Sequence, residues 1–66
     1  MTIFLNGKPQ TVSTPLTVAE LLGTLGLGGQ RVAVEINREI VPKSTHAAHR
    51  LQDQDRVEVV RAIGGG

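Results

Sequence analysis

Few side chains in this chain are able to do chemistry, and most of those are spaced as structure requires. His46 and His49 stand at i, i+3, a spacing that would put two metal ligands on one side of a helical turn. No third ligand of metal-binding spacing accompanies them, so solvated loop histidines are the expected reading. Asp53 and Asp55 form an Asp-x-Asp able to hold Mg²⁺. A turn between two elements calls for Asp just as strongly, and that reading wins. Ser44 and Thr45 have no obvious base. The glycines from Gly23 to Gly29 do not follow a strand and open a helix, so they fail as a phosphate loop and end a helix instead. No catalytic residue and no metal site are assigned. So short a chain is also expected to have little room for a ligand pocket of about 300 Å³ or more.

What is left is the end of the chain, "VVRAIGGG". A run of glycine is thin and loses more freedom on folding than any other residue. Pulled straight, each residue spans up to about 3.3–3.6 Å, so a glycine tail can pass a narrow channel and present its final carboxylate at a distant site. Fraying is the plain alternative, since chain ends are commonly disordered. A purification scar is another, although scars seldom fall at the end of a complete domain. The residues alone leave functional tail and loose end evenly matched.

The rest of the chain must position that end. Its 66 residues make one domain at most, with a small core and no cysteine to staple it or to hold zinc. The absence of cysteine fits a reducing compartment. No apolar run approaches the ~20 residues that span a bilayer. The N-terminus lacks the basic start and cleavage site of a signal peptide, so the cytoplasm is the expected location. A net charge of +1, with the charges scattered, gives no argument for nucleic acid.

Hydrophobic periodicity supplies the elements. Ile3 and Leu5 alternate with Thr2 and Phe4 in an opening strand, and Asn6-Gly7 is a hairpin turn. A return strand is predicted over about Gln10 to Thr14, with Val12 inward and Pro9 at its edge. Thr17 and Glu20 form a capping box, with Leu16 and Leu21 as a hydrophobic staple. Val18, Leu21, Leu22 and Leu25 make one helical stripe, and Gly26 is the stop over which Leu27 folds back. Gly23 costs about 1 kcal/mol relative to Ala inside this helix, which a close backbone neighbour would explain. Val32, Val34 and Ile36 predict a third strand, Asn37-Arg38 a tight turn, and Glu39 to Val41 a short return strand ended by Pro42. "KSTHAAHR" reads as a loop or a single helical turn. Asp53 to Asp55 make a turn before a last strand with Val57 and Val59 inward. The expected architecture is α+β: one amphipathic helix packed on a small mixed β-sheet.

That element order, with its glycine end, resembles the ubiquitin-like β-grasp sulfur carriers, and among them those of thiamine biosynthesis. The resemblance rests on "IFLNGK", "TVAELL", "VAVEINREIVPKS", "LQDQDRVEVV" and "AIGGG", which together cover nearly the whole chain. Such chains often have Gly where this one has Gln54, which should alter only the turn. The resemblance implies a single sulfur-carrier domain over 1–66, with 61–66 as an extended tail of which Gly64 and Gly65 are part. It implies that a ThiF-type adenylating enzyme, using ATP and Mg²⁺, converts the Gly66 carboxylate to an acyl-adenylate. A cysteine desulfurase or persulfide donor then makes the thiocarboxylate, which delivers sulfur to thiazole synthase. The chain would bind no cofactor and act as co-substrate, not as an enzyme. A molybdopterin-type carrier, a ubiquitin-like modifier conjugated through Gly66 and a plain binding module are the alternatives. Partners would dock on the sheet face opposite the helix, through Phe4 and Val60, with Arg61 and Ile63 at the root of the tail.

Overall fold

The computed structural model describes residues 1–61. The elements are β1 (Thr2–Leu5), β2 (Lys8–Thr11), α1 (Val18–Thr24), β3 (Val32–Ile36), β4 (Glu39–Val41), a 3₁₀ turn (Lys43–Thr45) and β5 (Arg56–Arg61). The five strands form one mixed sheet in the order β2-β1-β5-β3-β4. The last strand of the sequence is thus central in space. It runs parallel to β1 and antiparallel to β3.

Both hairpins turn on residues with positive φ: Asn6 and Gly7 at 49° and 84°, Asn37 and Arg38 at 52° and 71°. That twist suits two-residue hairpins, and Asn tolerates it well. The return strand β2 begins directly after the first turn, at Lys8, and ends at Thr11, earlier than the sequence predicts. A two-residue turn leaves no spare residues, so pairing starts at Leu5↔Lys8. Pro9 consequently lies inside β2, opposite Phe4. It is tolerated because β2 is an edge strand and the Phe4 N–H donates the other way, to the Asp55 carbonyl at 2.8 Å.

Helix α1 is capped as its sequence predicts. The Glu20 N–H donates to Thr17 Oγ1 at 3.2 Å, and the Thr17 N–H donates to Glu20 Oε1 at 2.9 Å. The Val18 and Ala19 N–H groups donate to the carbonyls of His49 and His46, so the first turn leaves no orphan donor. At the other end Gly26, at φ 74°, donates to the Gly23 carbonyl and Leu27 to that of Leu22. This is a Schellman closure, and it packs Leu27 against the core. A Cβ at Gly23 would meet nothing within 4 Å, so no backbone neighbour explains that glycine.

The core lies between α1 and one face of the sheet. Ile3, Val18, Leu21, Leu22, Val34, Ile36 and Val57 are buried together with Leu16, Val41 and Leu51. Leu25 departs from the predicted stripe: it is the C-cap and is 39% exposed. By that point the helix has passed the end of the buried layer.

Candidate functional site: the central strand and the root of the tail

The central strand β5 carries the chain to the described end at Arg61. Its alternation is regular across five cross-strand pairs, from Ile36↔Val57 to Val32↔Arg61, without a bulge. Val57, Val59 and Arg61 therefore face the helix side, and Arg56, Glu58 and Val60 the other. Val57 is fully buried and Val59 packs on the core, whereas Val60 is 60% exposed. The two adjacent valines have opposite fates through the pleat alone.

On the outer face Phe4 stands beside Arg56 and opposite Pro9, half-buried. A shallow depression next to it is lined by Phe4, Gly7, Arg56, Val57 and Glu58. Val60 shares this face but not this spot. It lies four residues along β5 from Arg56, about 13 Å away at the rise of a strand. Between them Glu58 pairs directly with Glu35, whose other neighbour is the exposed Ile40. Arg61 is on the opposite, helix-facing side, where its guanidinium donates to Gln30 Oε1. The four expected docking residues thus do not form one patch. Phe4 and Val60 share a face, Arg61 does not, and Ile63, like Gly64, Gly65 and Gly66, lies outside the described residues.

The histidines divide. His46 is buried rather than solvated: it is 7% exposed, and its Nε2 lies 3.0 Å from the Val41 carbonyl oxygen. The sequence misses this because a lone His in an aperiodic stretch gives no burial signal. His49 is half-buried. The two Asp residues are turn-makers. Asp53 Oδ1 accepts the Thr2 N–H at 2.8 Å, and this bond, chiefly, holds its carboxyl below the usual carboxylate range. Asp55 accepts from the Gln52 N–H and from Asn37 Nδ2. Between them Gln54 takes a positive φ of 71°, a backbone conformation that glycine adopts without a Cβ penalty.

Against expectation, the surface has room for a groove of about 530 Å³, lined by His49, Asp55, Glu39 and the β4 end among others. It is open, and the Asp55 carboxylate on its wall is already engaged. Among the described residues no three His, Asp or Glu side chains gather closely enough to hold a metal ion. None of the described helices is long and apolar enough to cross a membrane.

One helix grasped by a five-stranded mixed sheet, with the last strand at its centre, defines a ubiquitin-like β-grasp protein. Within that class the chain belongs to the ThiS family, whose model matches residues 3–66. It is 35% identical to the sulfur carrier protein ThiS of Escherichia coli, over the whole of both chains. The crystal structure of thiamine biosynthesis protein ThiS from Geobacter metallireducens superposes with a TM-score of 0.86, at 38% identity, over the whole of both chains. The chain is also 47% identical over 66 residues to a thiazole synthase of Paramagnetospirillum magneticum, of which it spans only 20%. A thiazole synthase of Magnetococcus marinus matches at 44%, again over 20% of its length.

Proposed function

We propose that this chain is a sulfur carrier for thiazole formation in thiamine biosynthesis, and that the Gly66 carboxylate is the group that reacts. The observation that carries the reading is the match over full length to a sulfur carrier, on a fold whose central strand leads directly into the tail. From Arg61, five residues extend at most about 17–18 Å to Gly66. That reach lets the domain rest on a partner's surface while its end sits in a buried site.

In the proposed reaction a ThiF-type enzyme uses ATP and Mg²⁺ to adenylate the carboxylate, with release of pyrophosphate. A carboxylate is a poor electrophile, and adenylation gives it a leaving group. The terminal sulfur of a cysteine persulfide, carried by a desulfurase or another persulfide donor, then displaces AMP to give an acyl disulfide. A second thiol cleaves its S–S bond, releasing the thiocarboxylate and leaving the donor cysteine as a disulfide. The carrier supplies the carboxylate and the fit, and the partner supplies the catalysis. Thiazole synthase as sulfur acceptor is supported by the two proteins of that name that each contain a stretch similar to this entire chain.

The experiment is intact mass spectrometry after incubation with the adenylating enzyme, ATP, Mg²⁺ and a sulfur donor. Replacement of one oxygen by sulfur at Gly66 is the expected outcome. Covalent adducts with other proteins would indicate a modifier instead. Gly65→Val, which widens the thread, should remain folded and lose ATP–pyrophosphate exchange.

A further inference from the structure

At the root of the tail, the Arg61 guanidinium is held from outside its own strand. It donates to Gln30 Oε1, from the connection between α1 and β3. The backbone of Gln30 is anchored, with its N–H donating to the Leu27 carbonyl at 3.0 Å and Leu27 packed against the core, while its side chain is exposed. A line of contacts therefore runs from the core, through the helix stop, to the guanidinium.

Two exposed, long side chains lose rotamer freedom when held together. Gln30 accepts one hydrogen bond but is neutral, so it orients the cation without neutralising it. A guanidinium has five N–H donors. Among the described residues its side chain bonds only Gln30, which leaves most of that fork unused. Arg31 follows Gln30 directly and precedes Val32, the cross-strand partner of Arg61, so a second cation stands at the same end of the sheet.

We propose that Gln30 is a positioning residue: it aims the free edge of the Arg61 guanidinium at a carboxylate on the adenylating partner, at the mouth of the channel that takes the tail. This rests on the carrier reading above. With an extended tail, Arg61 stands about 17–18 Å from the reacting carboxylate, too far to touch the adenylate, so its counterpart belongs to the partner's rim. A carboxylate fits because it takes two parallel N–H bonds from a guanidinium held in a fixed plane. Arg61 lies on the helix side and Val60 on the outer side of the same strand end. The partner thus meets a charge on one side of the tail root and an apolar side chain on the other.

The test measures ATP–pyrophosphate exchange against carrier concentration for the wild type, Gln30→Ala, Arg61→Ala and the double variant, each checked for folding by circular dichroism and melting temperature. Gln30→Ala is expected to melt like the wild type and to raise the half-saturating carrier concentration about threefold to tenfold, the scale of one ordinary hydrogen bond. Its rate at saturation should be unchanged, and it should add nothing to Arg61→Ala. Wild-type kinetics for Gln30→Ala, or a full additional loss in the Arg61→Ala background, overturns the proposal. A wild-type chain that is not adenylated at all would refute the carrier reading first and this inference with it.

Discussion

Asn6 and Asn37 clamp the central strand from its two sides. Asn6 Oδ1 accepts the Val59 N–H at 2.9 Å, and its Nδ2 donates to the Val59 carbonyl at 3.4 Å. Asn37 Oδ1 accepts the Arg56 N–H at 3.0 Å, and its Nδ2 donates to Asp55 Oδ1 at 3.0 Å. Each Asn is also the first residue of a positive-φ hairpin turn. One residue type thus closes the hairpin and continues the ladder where the backbone of β1 or β3 turns away. Asn6→Gly keeps the permitted φ and removes both side-chain bonds. It should destabilise the domain by about 1–2 kcal/mol, read by urea unfolding. Hydrogen exchange at Val59 should quicken more than at Val34. Equal exchange rates would show that the clamp adds nothing local.

The buried helix stripe sets the stability. Leu22 lies in the core with Ile3, Val34 and Val57. Leu22→Ala should cost about 2–5 kcal/mol, enough to unfold much of a small domain. Leu25→Ala, at a position the structure leaves partly open, should cost distinctly less. The two variants compared by thermal melting separate the stripe as written from the stripe as buried.

Glu35 and Glu58 face each other across β3 and β5. Like charges directly opposite on a sheet are unfavourable, with cross-strand pairs worth about 0.2–1 kcal/mol. Glu58→Gln should therefore raise the melting temperature at low salt, and the gain should shrink as salt screens the pair. A variant no more stable than its parent at low salt would show that the side chains already splay apart.

Asp53 makes acid stability depend on a turn. Its carboxyl is held below the usual range, chiefly by the Thr2 N–H, so the folded state binds its proton less readily than the unfolded chain. Its contribution is complete at neutral pH. It fades as pH falls through the ordinary carboxylate range and is gone below the lowered folded value. Asp53→Asn should flatten the acid limb of the stability curve while leaving the alkaline limb unchanged. An unaltered acid limb would assign the dependence to another carboxylate.

Much of this was legible in the sequence because local and global signals agree. The capping box, the Gly26 stop and both Asn-led turns depend on residues a few positions apart, and all form as predicted. The burial of His46 and the clamps of Asn6 and Asn37 on β5 were not legible. The clamps depend on which strand becomes central, and pairing of β1 with β5 joins residues more than fifty positions apart, while His46 is buried where its loop meets Val41 and the first turn of α1. The division of Val60 from Arg61 could have been read from the pleat. Grouping them by nearness in sequence to the tail obscured it.

Phe4 is the one Phe in a chain without Trp or Tyr, yet it lies on the outer face rather than in the core. A small domain that keeps its largest apolar side chain out of its core forgoes burial that would stabilise it. Scattered exposed apolar residues are ordinary on protein surfaces. Here, however, Phe4, Ile40 and Val60 share one sheet face, and the latter two are 74% and 60% exposed. Aromatic anchors often dominate interface energy, so this face is the expected docking surface for partners. Phe4→Ala should fold, since its side chain is not in the buried cluster, and should raise the half-saturating carrier concentration in adenylation with little change at saturation. Ile40→Ala tests the far side of the same face. Because two strands, β5 and β3, separate Ile40 on β4 from β1, its effect should be smaller if the partner centres on Phe4, and comparable if the partner covers the whole sheet. Unchanged kinetics in both variants would leave the tail and its root as the whole of the recognition surface.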